Sequence, residues 1–109
     1  MAQQRRVVVT GLGVVSPIGN DVDTFWRRLI AGESGVGPIT RFDTTDYKVR
    51  IAAEVQGFQA EDFIDKRKAR RLDLFSRYAV AAAIMANDDA QFTPSLEAER
   101  VGAVMASGV

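Results

Sequence analysis

The sequence predicts an α/β protein whose strands are buried on both faces. Three observations carry this. Val7, Val8 and Val9 stand in a continuous β-branched run, RRVVVT at 5–10, and a second continuous apolar run, VGAVMASGV, occupies 101–109. Runs that are apolar without alternation mark strands covered on both sides, as in layered α/β proteins. Between them lie two segments with helical apolar spacing, one of them rich in alanine. At 109 residues, 47% apolar and 26% charged, the chain is one domain or a piece of one, and too apolar for disorder.

After the first run, GLGVVSPIG at 11–19 stays apolar but holds three glycines and Pro17, which predicts a close-packed, irregular passage. In NDVDTFWRRLIAG, Val22, Phe25, Trp26, Leu29 and Ile30 fall on one stripe of an amphipathic helix. Asn20 or Asp21 can cap its start, and Gly32 suits the left-handed position beyond its end. Arg27 and Arg28 lie off the stripe and face solvent, whereas Phe25 and Trp26 read as core. Residues 32–50 form a long connection with short strand pieces, IAAEV at 51–55 a strand, and AEDFI at 60–64 a helical turn. From about residue 72, Leu74, Phe75, Tyr78, Ala79, Ala82, Met85 and Ala86 recur at helical spacing as far as about Ala90. The alanines of AVAAAIMA allow neighbours to approach very closely, so this helix is expected to be deeply buried. FTPSLEAER reads as a loop with a helical turn after Pro94. A buried strand needs something to cover it and continue the fold, so the chain reads as the opening part of a longer one. With both apolar runs uncovered, the isolated chain is expected to be marginal or aggregation-prone.

The formal net charge is zero, so any electrostatic function must come from a local patch. There is no cysteine and no histidine, which excludes disulfides and thiolate nucleophiles from these residues and removes the commonest general base. MAQQRRVVVTG lacks a signal-peptide apolar core, and no stretch approaches a membrane span, so the expected location is cytoplasmic. Glu61, Asp62 and Asp65 lack calcium-loop spacing, and no metal is expected. Tyr47 and Tyr78 read as structural.

The glycines pose a choice between phosphate binding and close packing. A dinucleotide fingerprint needs G-x-G-x-x-G between strand and helix, so that helix amides meet the pyrophosphate. Here Gly11 and Gly13 are followed by Ser16 in the third position, and the helix starts only near residue 21. The acidic ribose partner would fall near Glu33, in a loop. Close packing is the better reading, and no cofactor is expected.

The other conspicuous motif is DKRKARRLD, with five basic residues between Lys66 and Arg71, placed where the long helix should begin. Clustered cations at a helix start oppose the macrodipole and repel one another. The run is either a solvated charge run softened by Asp65 and Asp73, or a surface for an acidic partner, with RNA or an anionic membrane as a further alternative.

RVVVTGLGVVSPIGN and FWRRLIAGESG resemble the N-terminus of the β-ketoacyl-acyl carrier protein synthases, with the type II fatty-acid enzymes as the nearest branch. The resemblance continues through ITRFDTTDY, IAAEV, RKARRLDLFSRYAVAAA and RVGAVMASGV, in order across the chain. It implies a thiolase-like fold layered α-β-α-β-α, of which residues 1–109 form the first part of the N-terminal half, normally in a cytoplasmic homodimer. It implies decarboxylative Claisen condensation of acyl groups with malonyl-carrier protein, by a cysteine nucleophile and two histidines. This chain contains neither residue type, so no catalytic residue is assigned and the isolated chain is expected to be inactive.

Two family functions map onto residues present. The resemblance implies that Arg67, Arg70 and Arg71 contact acyl carrier protein, the expected partner. It also places Val109, the end of ASGV, beside the acyl pocket, although a plain core valine fits as well. The alternatives are a polyketide ketosynthase, its non-catalytic chain-length partner, or a carrier-protein-binding module without catalysis.

Overall fold

The computed structural model describes residues 3–91 and 97–108. Helix α1 spans Val22–Ile30. Of its two candidate caps, Asp21 takes the role: its Oδ1 accepts the Thr24 N–H at 2.8 Å. Asn20 instead donates from Nδ2 to the Gln56 carbonyl at 2.7 Å, tying the helix start to the chain beyond the sheet. The helix ends in a Schellman arrangement. Gly32, at φ 71°, donates to the Leu29 carbonyl, and Glu33 N–H donates to the Arg28 carbonyl, both at 3.0 Å. The Arg28–Glu33 ion pair, 2.6 Å, spans the same turn.

Two short strands follow, β1 at Val36–Pro38 and β2 at Ile51–Ala53, antiparallel with Gly37 opposite Ala52. Their connection is pinned at its base by Glu54, which accepts from Thr40 N–H (3.1 Å) and Thr40 Oγ1 (2.7 Å). A 3₁₀ turn at Ala60–Asp62, helix α2 at Lys66–Ala69 and helix α3 at Leu74–Ala90 complete the main elements, with a second 3₁₀ turn at Ala98–Arg100. The core lies where the first turn meets α2: Ala60, Ile64 and Ala69 are buried, with Phe58, Phe63 and Leu72 packed against them. Phe58 stacks on Phe63 at 6.2 Å and meets Tyr78 of α3 edge-on at 4.9 Å. The Tyr78 hydroxyl accepts from Arg41 Nη2 at 3.2 Å, which gives that tyrosine the structural role its sequence context suggests.

Several sequence expectations are corrected. Residues 5–10 form no strand, and Val7 is 94% exposed. Residues 101–108 likewise form no strand, and Val104 is 95% exposed. A strand's N–H and C=O groups are satisfied by a neighbouring strand, and among the described residues neither run has one. On α1, Val22 and Phe25 are half-buried, but Trp26, Leu29 and Ile30 are exposed, Trp26 by 59%. The stripe exists, yet only its first turn finds a surface to cover. Helix α3 is buried on one side only, with Ala81 fully enclosed and Phe75 and Val80 exposed. The basic run does not open this long helix. Its first three cations form α2, and Arg70 and Arg71 lie in the link at 70–73 before α3. The radius of gyration, 17.7 Å, exceeds the roughly 13 Å of a compact chain of this length, as expected when apolar arms stand off a small core.

Candidate functional site

Helix α2 is a single turn that exists because Asp65 holds its start. The carboxylate Oδ1 accepts the N–H of Arg67 at 3.0 Å and of Lys68 at 3.4 Å. At the other end, the Arg71 and Leu72 N–H groups fold back onto the Lys68 and Ala69 carbonyls, at 3.0 and 3.1 Å. The Leu72 carbonyl is taken by Arg77 Nε of α3 at 2.9 Å. Ala69 and Leu72, three residues apart, therefore point into the core, while Lys66, Arg67, Lys68, Arg70 and Arg71 point to solvent. The apolar pair anchors the turn and the cations are displayed together. Among the described residues none of these five forms an ion pair.

The display is not a flat rim. Asp65, Arg67, Lys68 and Arg71 line a hollow of about 230 Å³. Two of the three residues picked from sequence, Arg67 and Arg71, meet there. Arg70 is exposed but does not line it, and Lys68, left out of the docking set, does. The signal for Lys68 was in the same basic run, but only the path of the α2 turn decides which neighbours share a concavity. Val109, the acyl-pocket candidate, lies outside the described residues.

The glycine question is decided by packing. A Cβ on Gly13 would overlap the Ala82 carbonyl oxygen and stand 2.8 Å from the Ala86 nitrogen. A Cβ on Gly11 would overlap the Ala86 carbonyl oxygen and stand 2.6 Å from the Ala90 nitrogen. The two glycines press the N-terminal segment onto the alanine face of α3, backbone against backbone. Leu12, between them, donates its N–H to Asp89 Oδ2 at 2.9 Å. This surface is filled by the chain itself and leaves no cradle for a phosphate.

A second hollow, about 600 Å³ and apolar, runs along the outer face of α3 past Phe75, Ala79, Val80 and Ala83 to Met105. Among the described residues no three acidic side chains converge as a metal site, Glu61, Asp62 and Asp65 included. No helix there is long and apolar enough to cross a membrane.

Residues 4–109 match the family model of the β-ketoacyl synthase N-terminal domain. The chain is 47% identical over its whole length to 3-oxoacyl-[acyl-carrier-protein] synthase 2 of Staphylococcus aureus (strain COL), and covers 27% of that protein. It is 45% identical, over 97% of its length, to the synthase of the same name from Vibrio cholerae serotype O1, covering 26% of it. Among solved structures, the ishigamide ketosynthase/chain length factor superposes with a TM-score of 0.70 at 44% identity, over 84% of this chain and 23% of that one. The chain thus spans about a quarter of the length of the curated relatives it matches. With a family match over nearly every residue and an α/β structure that follows a ketosynthase, the chain belongs to the β-ketoacyl synthases, in their N-terminal domain.

Proposed function

We propose that this chain is the N-terminal part of a 3-oxoacyl-acyl carrier protein synthase that elongates fatty acids. The observation that carries the reading is the 47% identity, end to end, to a 3-oxoacyl-[acyl-carrier-protein] synthase 2. In the reaction, the malonyl unit loses its carboxyl as carbon dioxide. The resulting enolate carbon bonds to the acyl carbonyl, and the thiolate that carried the acyl group leaves. The nucleophilic cysteine and the histidines of that chemistry have no counterpart here, since the chain contains neither residue type.

What these residues contribute is docking and framework. Arg67, Arg70 and Arg71 face an acidic acyl carrier protein, loaded with acyl or malonyl groups, and steer it by charge. The exposed runs at 5–10 and 101–108 become strands of the thiolase-like layered sheet when neighbours pair with them, in a cytoplasmic homodimer. Val109 stands beside the acyl chain. A second reading, a polyketide ketosynthase or its chain-length partner, is favoured by the likeness to the ishigamide ketosynthase/chain length factor.

The test is a condensation assay on the protein at its full native length, with acyl- and malonyl-carrier protein, following carbon dioxide release and product mass. Release of one carbon dioxide per 3-oxoacyl product supports the proposal. Carrier-protein binding without condensation would transfer it to the non-catalytic chain-length partner.

A further inference from the structure

We propose that Lys68 is a docking residue acting with Arg67 and Arg71 on one group, a side-chain carboxylate of the acidic partner, an inference that rests on the carrier-protein reading above. The geometry selects these three, because they line one hollow whereas Arg70 lies outside it. The chemistry of the hollow selects the occupant. A tightly cradled phosphate is held largely by free backbone N–H groups at a helix start. Here the N–H groups of Arg67 and Lys68 are already occupied by Asp65 Oδ1, so neither of these hollow-lining residues has a backbone donor to offer. Asp65 also sets a negative charge in the hollow wall. What remains is three exposed cations around one acidic residue, a net charge of about +2 that suits an acidic side chain reaching in from a protein surface. Ala69, buried beneath, fixes the turn that brings Lys68 round to this side.

The experiment measures binding of acyl carrier protein to the protein at its full native length, with the carrier in apo form (no phosphopantetheine) and holo form. Lys68→Gln is compared with Arg67→Gln, Arg71→Gln and Lys48→Gln, the last an exposed cation of the β1–β2 connection. Exposed charge pairs predict about a two- to fivefold loss of affinity for Lys68→Gln at low salt, similar to Arg67→Gln. The expected loss is equal for apo and holo carrier, shrinks as salt rises, and is reversed by Lys68→Arg, while Lys48→Gln binds as wild type. Lys68 and Arg67 should also couple in a double-mutant cycle, since they face one group. A silent Lys68→Gln in a protein that does bind overturns the inference and leaves the carrier-protein reading standing. A loss confined to the holo carrier overturns the carboxylate in favour of the phosphate. A wild type that binds neither form overturns both.

Discussion

Replacing Gly13 by alanine tests the contact that organises the N-terminal half of the chain. The added methyl would overlap the Ala82 carbonyl oxygen, with the Ala82 carbonyl carbon at 2.9 Å and the Ala86 nitrogen at 2.8 Å. All three obstacles are backbone, so no flexible side chain can yield, and residues 11–13 must lift away from α3. Overpacking of this kind costs about 1–3 kcal/mol. Alanine recovers about 0.4–1 kcal/mol by restricting the unfolded chain, because Gly13 is not at positive φ. The net is about 1–2 kcal/mol, and it acts on a local unit that includes the Leu12 N–H bond to Asp89. In the protein at its full native length, hydrogen exchange at the Leu12 amide should therefore quicken about 5–30-fold. Gly37→Ala is the control, because a Cβ there has nothing within 4 Å and the residue is not at positive φ. It should change exchange at Leu12 by nothing measurable. If Gly13→Ala leaves Leu12 as protected as wild type, the close-approach account of these glycines is wrong.

Other outcomes follow from the same geometry. Asp21→Ala should cost α1 about 0.5–2 kcal/mol through loss of its cap, read as reduced helical circular dichroism on heating. The Asp21 carboxyl is held below its ordinary range, first by the Thr24 backbone N–H and with help from Arg27. Its stabilisation is thus fully present above the unfolded carboxyl's pKa and lost as pH falls through the lower folded one. An acid titration of Asp21→Asn should lack that component, and an unchanged titration would remove Asp21 as its source. Neutralising Arg67 and Arg71 together should raise KM for carrier-linked substrate several-fold with kcat unchanged, an effect fading above about 0.5 M salt as screening shortens. An unchanged KM would leave the basic turn a solvated charge run. On the proposed function, Val109→Phe in the full-length protein should shift its products toward shorter acyl chains, and an unaltered chain-length profile would refute the acyl-pocket role of Val109.

How much was legible in the sequence differs element by element. Local signals suffice where one residue decides the geometry. The apolar spacing of α1 and the Gly32 end appear where the sequence puts them, and the cap is one of its two candidates, Asp21 rather than Asn20, because caps and turns are made within a few residues. The same holds for β2 at the start of IAAEV, for the turn at Ala60–Asp62 and for the length of α3. The glycine pattern was also legible: its departure from a nucleotide fingerprint pointed to close packing, and α3 supplies the alanine face that the packing needs.

Burial was another matter. RRVVVT and VGAVMASG carry the composition of buried strands, but a strand requires a neighbour's hydrogen bonds, and composition does not provide one. Trp26 shows the same division on a helix, since periodicity names the stripe while the elements packed against it decide how much is covered. The basic run divides likewise. Sequence alone determined that five cations fall between Lys66 and Arg71 beside Asp65. Only the tertiary structure separated α2 from α3, and gathered Arg67, Lys68 and Arg71 around one hollow with Arg70 outside. The reason is physical: a side chain's type is local, but the direction in which a one-turn helix presents it is set by the core that Ala69 and Leu72 are buried in.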